Sequence, residues 1–284
     1  MPESASQYTL GASQPELERL IALASHEEDH VIEACRRANV QEGATAIDVG
    51  CGPLGALSAL CRVVGKSGMV VGIDASTSAL EKAQSLLPRE THPQLRLLHA
   101  DINALTPDQA GVADIDLAYS RLMLLHQVDP ARALANIARV LRPGGVFIAH
   151  EPSDQPMHAP SSEPHVPAMT RVWELVIAAA RARGAQTDFG RRGRAYLEAA
   201  GFTIESHRTY FVHYPPEVGY DIPRVALRSL RPVLIEHALA DDVELDRLDH
   251  ELEDAKRRDD VQWVTSPRMI EWIARRGARH MLPA

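Results

Sequence analysis

The sequence predicts an α/β protein built on a mostly parallel sheet, and three observations support this. Five short apolar runs recur between residues 45 and 151 at intervals of about 20–30 residues, with helical segments between them. Buried parallel strands in βαβ units have this texture. The first run, "TAIDVG" (45–50), leads straight into a glycine-rich turn. The chain has 284 residues and shows no internal repeat or low-complexity segment, which suits one large domain with insertions.

Composition narrows the partners. The net charge is −8 with no long run of either sign, which argues against a nucleic-acid surface. Cys35, Cys51 and Cys61 form no C-x-x-C pair, so neither a disulfide nor a zinc framework is expected. The N-terminus lacks a basic-then-apolar signal, and no apolar stretch reaches membrane-spanning length. A soluble cytoplasmic protein with no membrane partner is expected. A homodimer stays open.

The elements follow in order. Residues 1–43 read as a helical cap, with one or two helices over 13–39. Ser13-Gln-Pro-Glu16 and Ser25-His-Glu-Glu28 both have the capping-box form. Residues 44–152 form the core, with strands at 45–50, 69–74, 95–100, 115–120 and 146–151. "LRPGG" (141–145) ends the helix before the fifth strand, because proline cannot continue it. Beyond 151 the pattern loosens into a proline- and serine-rich loop, then helices near 165–183 and 191–200. Segments 202–214 and 261–266 read as the last strands, and Ile270, Trp272 and Ile273 as part of a closing helix. Segments 155–185 and 215–258 read as helical insertions in a single domain.

The turn Gly50-x-Gly52-x-x-Gly55 has the dinucleotide spacing, a weak signal alone. A glycine turn lets backbone approach a ligand and aims helix N–H groups at it. Three details separate the ligands. Asp48 ends a buried strand, where a carboxylate would repel a pyrophosphate but help bind an amino group. Pro53 removes an N–H donor from the loop. Asp74 closes the second strand, where a carboxylate accepts from ribose hydroxyls of either cofactor type.

At this point the sequence resembles the class I S-adenosylmethionine-dependent methyltransferases of the small-molecule type. "AIDVGCGPLG" is similar to their first motif and "VVGIDAS" to the second. "LLHADINAL" is similar to the third, and the stretch from "IDLAYS" to "EPSD" to the fourth strand, its helix and the fifth strand. The resemblance covers about 44–152. It implies a Rossmann-like fold with a seven-stranded sheet, whose last antiparallel pair would be 202–214 and 261–266. It implies S-adenosyl-L-methionine as cofactor, with contacts from Asp48, Gly50, Cys51 and Gly52. Asp74 and Ala75 would meet the ribose, Asp101 the adenine amino group, and the Ile102 N–H the ring nitrogen. Ser120 and Arg121 would line the cleft through backbone. Leu54 departs from the family's glycine and would narrow the site beside the methionine tail, with Gly55 left to do the steric work.

Methyl transfer needs an acceptor atom held in line with the methyl group, and a base only if the acceptor must lose a proton. His126, after the fourth strand, is the candidate base, against a packing role. Glu151, following His150 at the end of the fifth strand, either orients the acceptor or binds loop backbone. Tyr8 is a candidate for the methionine carboxylate. His158 and His165 lack a third ligand, so no metal is expected. The arginines of "RARGAQTDFGRRGR" either bind an anion or sit on solvated helix ends. "TRVWELVIAA" and the aromatic "YFVHYPPEVGYDIP" suggest a mostly apolar lid over a small-molecule acceptor. Three functions stay open: a methyltransferase, a non-methylating cyclase or binding protein of the same descent, and an NAD-dependent oxidoreductase, disfavoured by Asp48 and Pro53.

Overall fold

The computed structural model describes Leu10 and residues 13–111 and 114–277. Ser13 caps one helix, α1 (Gln14–Arg37), its hydroxyl accepting the Glu16 N–H. The second capping signal starts no helix. Ser25 lies inside α1 and its hydroxyl donates to the Ile21 carbonyl. The chain then alternates β1 (Thr45–Val49), α2 (Leu57–Val64), β2 (Met69–Asp74), α3 (Thr77–Leu86) and β3 (Leu95–His99). The short α4 (Pro107–Ala110), β4 (Ile115–Arg121), α5 (Pro130–Val140) and β5 (Leu141–Pro152) complete the core. β5 starts earlier than expected. Leu141 already pairs with Ile115, and the ladder shifts so that Val146 meets Leu117. Pro143 and the two glycines occupy this irregularity, where a missing donor is tolerated.

The second half contributes β6 (Ser162–Glu163), α6 (Pro167–Ala182), α7 (Phe189–Ala199), β7 (Phe202–Tyr210) and β8 (His213–Tyr214). Then come α8 (Pro216–Glu236), α9 (Asp242–Lys256), β9 (Trp263–Thr265) and β10 (Met269–Arg276). The large sheet has seven strands in the order β3-β2-β1-β4-β5-β10-β7. β1 to β5 pair in parallel, and β10 runs antiparallel to both β5 and β7. Ile47, Leu117 and Phe147 are fully buried in its centre. Each such side chain contributes about 1.5–3 kcal/mol by leaving water. The strand order reverses between β1 and β4, and in such sheets the crevice beyond the strand ends at that point receives ligands.

Two expectations are corrected here. The final antiparallel pair is β7 with β10, not 202–214 with 261–266. Ile270, Trp272 and Ile273 therefore lie in a strand, not a helix. β10 is enclosed on both sides, so it needs apolar residues on both faces. Trp272 packs into the core on one face and Ile273 into that on the other. A short run of that kind looks the same in a buried helix. Segment 261–266 supplies β9, which pairs with β6 and β8 in a separate three-stranded sheet. The chain leaves the large sheet after Tyr210 and enters the small one at His213.

α6, α8 and α9 share a third apolar core built from residues such as Met169, Leu230 and Leu248. α8 begins at Pro216 and runs on through Pro223, so the second half of the "YFVHYPPEVGYDIP" stretch is helical.

Candidate functional site

The glycine turn is fastened from three sides. The Gly50 and Cys51 N–H groups donate to the Ile73 carbonyl at 2.8 and 2.9 Å. Asp48 Oδ2 accepts the Ala56 N–H at 2.8 Å, bracing the start of α2. Asp74 accepts the Gly52 N–H on Oδ2 and the Ser76 N–H on Oδ1, both at 2.8 Å. Gly55 is the residue that lets the turn close: its φ is +48°, and a Cβ there would lie 2.3 Å from the Cys51 carbonyl oxygen and 2.6 Å from Asp48 Oδ2. Leu54, expected to narrow the site, instead packs against the core behind the turn and does not line the cavity.

Over this turn lies a cavity of about 640 Å³. Asp48, Gly50, Cys51 and Gly52 form its floor. Asp74 and Ala75 follow on one side, and Asp101 and Ile102 on another. Arg121 and His126 also reach it. Asp101 Oδ1 holds the Asn103 N–H at 2.8 Å, and the Asn103 amide bridges on to Gln127 at 2.9 Å. Ser120 does not line the cavity and is buried in β4 with its hydroxyl unpartnered. The strand's next residues, Arg121, Leu122 and Met123, line it instead. Arg121 spans 3.3 Å to the Leu23 carbonyl and 3.5 Å to that of Gly55, tying α1 to the turn. Leu17, Leu20 and Leu23 of α1 form a cavity wall, and they are not among the site residues expected from sequence. Their apolar spacing was the visible signal, but a stripe does not say whether it faces core or ligand.

A smaller cavity of about 100 Å³ adjoins the first, and both share Leu23, Leu122 and His126. α6 and α8 roof it through Met169, Val172, Trp173 and Ile222. His126 ends the short 3-10 turn Leu124–His126. Burial pushes its imidazole down to about 4, and the Arg19 charge acts in the same direction. Glu151 organises this turn. Its Oε1 accepts the Met123 and Leu124 N–H groups at 3.0 and 2.9 Å, and Oε2 that of Leu125 at 3.2 Å. Glu151 is fully buried and lines neither cavity, so the expectation that it orients an acceptor is corrected. Of its two readings, the bond to loop backbone is the one present. It positions His126.

His150 also lines neither cavity. Its Nδ1 lies 3.1 Å from the Tyr119 hydroxyl and 2.9 Å from that of Tyr210, and its Nε2 3.1 Å from Glu271. Burial would raise Glu271, but the His150 and Arg37 hydrogen bonds outweigh it and bring it to about 2. The arginine-rich segment divides. Arg181 and Arg191 pair with the buried Asp154, while Arg183 reaches the larger cavity. His158 bonds Ser153 at 2.7 Å. Tyr8 lies outside the described residues.

Burial pushes Asp48 up to about 7, against the Ala56 N–H and the Arg121 charge, and pushes Glu151 up to about 7 as well. An acid raised on folding holds its proton more tightly in the native state. Its contribution to stability is present below the unfolded pKa and is lost as pH rises through the folded one. His126, depressed from 6.5 to about 4, acts oppositely, but only below about 6.5. The ligand-free protein should therefore lose stability between about pH 6.5 and 8. Asp48→Asn should make that loss smaller. Urea midpoints at both pH values for the two proteins measure this, and equal losses would remove Asp48 as a cause.

The methyltransferase domain family matches residues 47–149. Trans-aconitate 2-methyltransferase of Methylobacterium radiotolerans is 30% identical over 215 residues, covering 71% of this chain and 74% of that protein. The enzyme of the same name from Azoarcus sp. is 33% identical over 148 residues, 51% of this chain and 53% of its own. For another curated relative, a 37.1 kDa protein from a Streptomyces fradiae transposon, the chain spans only 32% of its length. Among solved structures, a putative methyltransferase from Bacillus halodurans has a TM-score of 0.56 at 17% identity, covering 87% of this chain and 99% of that one. The cyclase SpnF has a TM-score of 0.53 at 20% identity, covering 89% and 82%. The fold and its glycine-turn cavity define a Rossmann-like nucleoside-cofactor protein. Within that class, the chain belongs to the class I S-adenosylmethionine-dependent methyltransferases, which sets aside the oxidoreductase reading.

The cavity suits that cofactor chemically. Asp48, Asp74 and Asp101 place three carboxylates around it, which would repel a pyrophosphate and accept from amino and hydroxyl groups. Bound there, S-adenosylmethionine supplies an electrophilic methyl group on a sulfonium.

Proposed function

We propose that the protein is a cytoplasmic methyltransferase that methylates a small, mostly apolar organic molecule in specialised (natural-product) metabolism. The observation that carries this reading is the pair of cavities sharing Leu23, Leu122 and His126. The larger one, over the glycine turn, is assigned to the cofactor: Asp74 to the ribose, Asp101 and Ile102 to the adenine, and Asp48 with the turn to the methionine end. The smaller one is assigned to the acceptor. Its roof of Met169, Val172, Trp173 and Ile222 supports an apolar molecule. α6 and α8 would act as its lid.

With the two ligands in adjoining cavities, holding the acceptor atom in line is most of the catalytic task. His126 stands on the shared wall and stays neutral at neutral pH, so its imidazole can accept a hydrogen bond from the acceptor. His126→Ala should lower kcat roughly 10²- to 10⁴-fold, the usual range for a positioned acid–base group. S-adenosylhomocysteine affinity should change little. An unaltered rate with saturating acceptor would exclude His126 from proton handling.

The test of the function itself is methyl-labelled S-adenosylmethionine incubated with the protein and metabolite extracts, followed by mass spectrometry of labelled products. Trans-aconitate, named for two relatives, is the first defined compound to include. A second reading, a cofactor-binding protein that cyclises or sequesters without methylating, is compatible with the likeness to SpnF. It requires cofactor binding without label transfer or S-adenosylhomocysteine release in any extract.

A further inference from the structure

Glu27, on α1, is only 2% exposed, yet it lines the smaller cavity. A carboxylate in such a place is costly unless it is hydrogen-bonded or used. Its Oε2 accepts the Tyr210 hydroxyl at 3.0 Å. That hydroxyl also lies 2.9 Å from His150, which lies 3.1 Å from Glu271 on β10. His30 stacks on the Tyr210 ring at 4.3 Å. A buried polar chain thus runs from the cavity between α1 and the sheet, ending at Glu271, which Arg37 of α1 also holds, and fixes where Glu27 stands.

Three other polar groups of the cavity are committed elsewhere, whereas the Trp173 indole N–H is buried on its lining without a hydrogen-bond partner. Arg19 donates to both oxygens of Glu16, at 2.8 and 2.7 Å. The Thr265 hydroxyl donates to the Ser161 carbonyl and that of Ser266 to Pro267. What faces a ligand is one fixed acid, Glu27, among mostly apolar walls that also carry the Trp173 indole N–H and Tyr214, with His126 on the wall shared with the larger cavity.

We propose that Glu27 determines the class of acceptor: it takes a hydrogen bond from a hydroxyl or amino group on an otherwise apolar molecule and turns that group toward the shared wall. The proposal rests on the methyltransferase reading and adds the acceptor's chemistry to it. The same anion excludes carboxylate acceptors, since like charges in a water-poor pocket repel strongly. Arg19, already paired with Glu16, supplies no compensating site.

The experiment uses the full chain saturated with S-adenosylhomocysteine and three probes of one shape: benzyl alcohol, benzylamine and benzoate. Calorimetry should show the alcohol and amine binding and benzoate excluded. Glu27→Ala should weaken the first two about 10- to 100-fold, the size of a charge-assisted hydrogen bond. Glu27→Gln keeps an acceptor oxygen without the charge, so it should restore the alcohol, not the amine, and admit benzoate. S-adenosylhomocysteine affinity should stay within about twofold in both variants, which a misfolded protein would not manage. In the extract screen, the transferred label should resist mild alkali. Benzoate binding as tightly as the other probes, failure of all three to bind, or a base-labile methyl ester as product each overturns the assignment. Failure to bind S-adenosylhomocysteine overturns the methyltransferase reading instead, and the probes titrated without it still report on Glu27.

Discussion

Asp74→Ala should abolish useful binding of S-adenosylmethionine while leaving a folded protein. In the proposed site this carboxylate meets two ribose hydroxyls, and each unmet buried hydroxyl costs about 1–3 kcal/mol. Together they remove roughly 2–6 kcal/mol of binding, about 30-fold to more than 10⁴-fold in Kd. There is a second contribution. Asp74 also accepts the Gly52 and Ser76 N–H groups, so the glycine turn loses an anchor at the same time. Both contacts are only partly buried, so water can replace them and the melting temperature should fall modestly. Calorimetry and a thermal melt on the same preparation separate the effects. Unchanged cofactor affinity would remove Asp74 from the site.

Gly55→Ala should be the most damaging single methyl in the cofactor region. Two terms combine. At φ +48° a side chain incurs the left-handed penalty of about 1–2 kcal/mol. The new Cβ would also stand 2.3 Å from the Cys51 carbonyl oxygen, a backbone atom that cannot swing aside. The turn must open, and Asp48 then loses its bond to the Ala56 N–H. The expected loss is roughly 3–5 kcal/mol of stability, together with cofactor binding. Gly201→Ala is the control, because Gly201 has φ +83° and no atom within 4 Å of a Cβ. Its urea midpoint should show only the backbone penalty. Equal losses in the two variants would mean that the turn relaxes without consequence.

Much of the core was legible because its signals are local. The apolar runs from Thr45 to Val146 are strands, and the acids and glycines at 48–55, 74 and 101 come together around one cavity. Where the sequence was ambiguous, the ambiguity was physical. Met269–Arg276 carries apolar residues on successive positions because it lies between two strands and between two cores, and no periodicity distinguishes that from a buried helix. Ser120 and Arg121 are neighbours, yet one is sealed in the sheet and the other reaches the ligand cavity, a difference set by where β4 ends.

The sequence by itself determined the family, the order of the parallel strands' βαβ units, and which acids stand at their ends, since each depends on residues close together in the chain. Tertiary structure alone decided the rest. Glu151 became the clasp of the His126 turn, and Glu27 the acid of the smaller cavity, because their partners are 26 to 28 and 183 residues distant. A carboxylate's role follows from which donors and walls surround it, and that is settled only when distant segments pack.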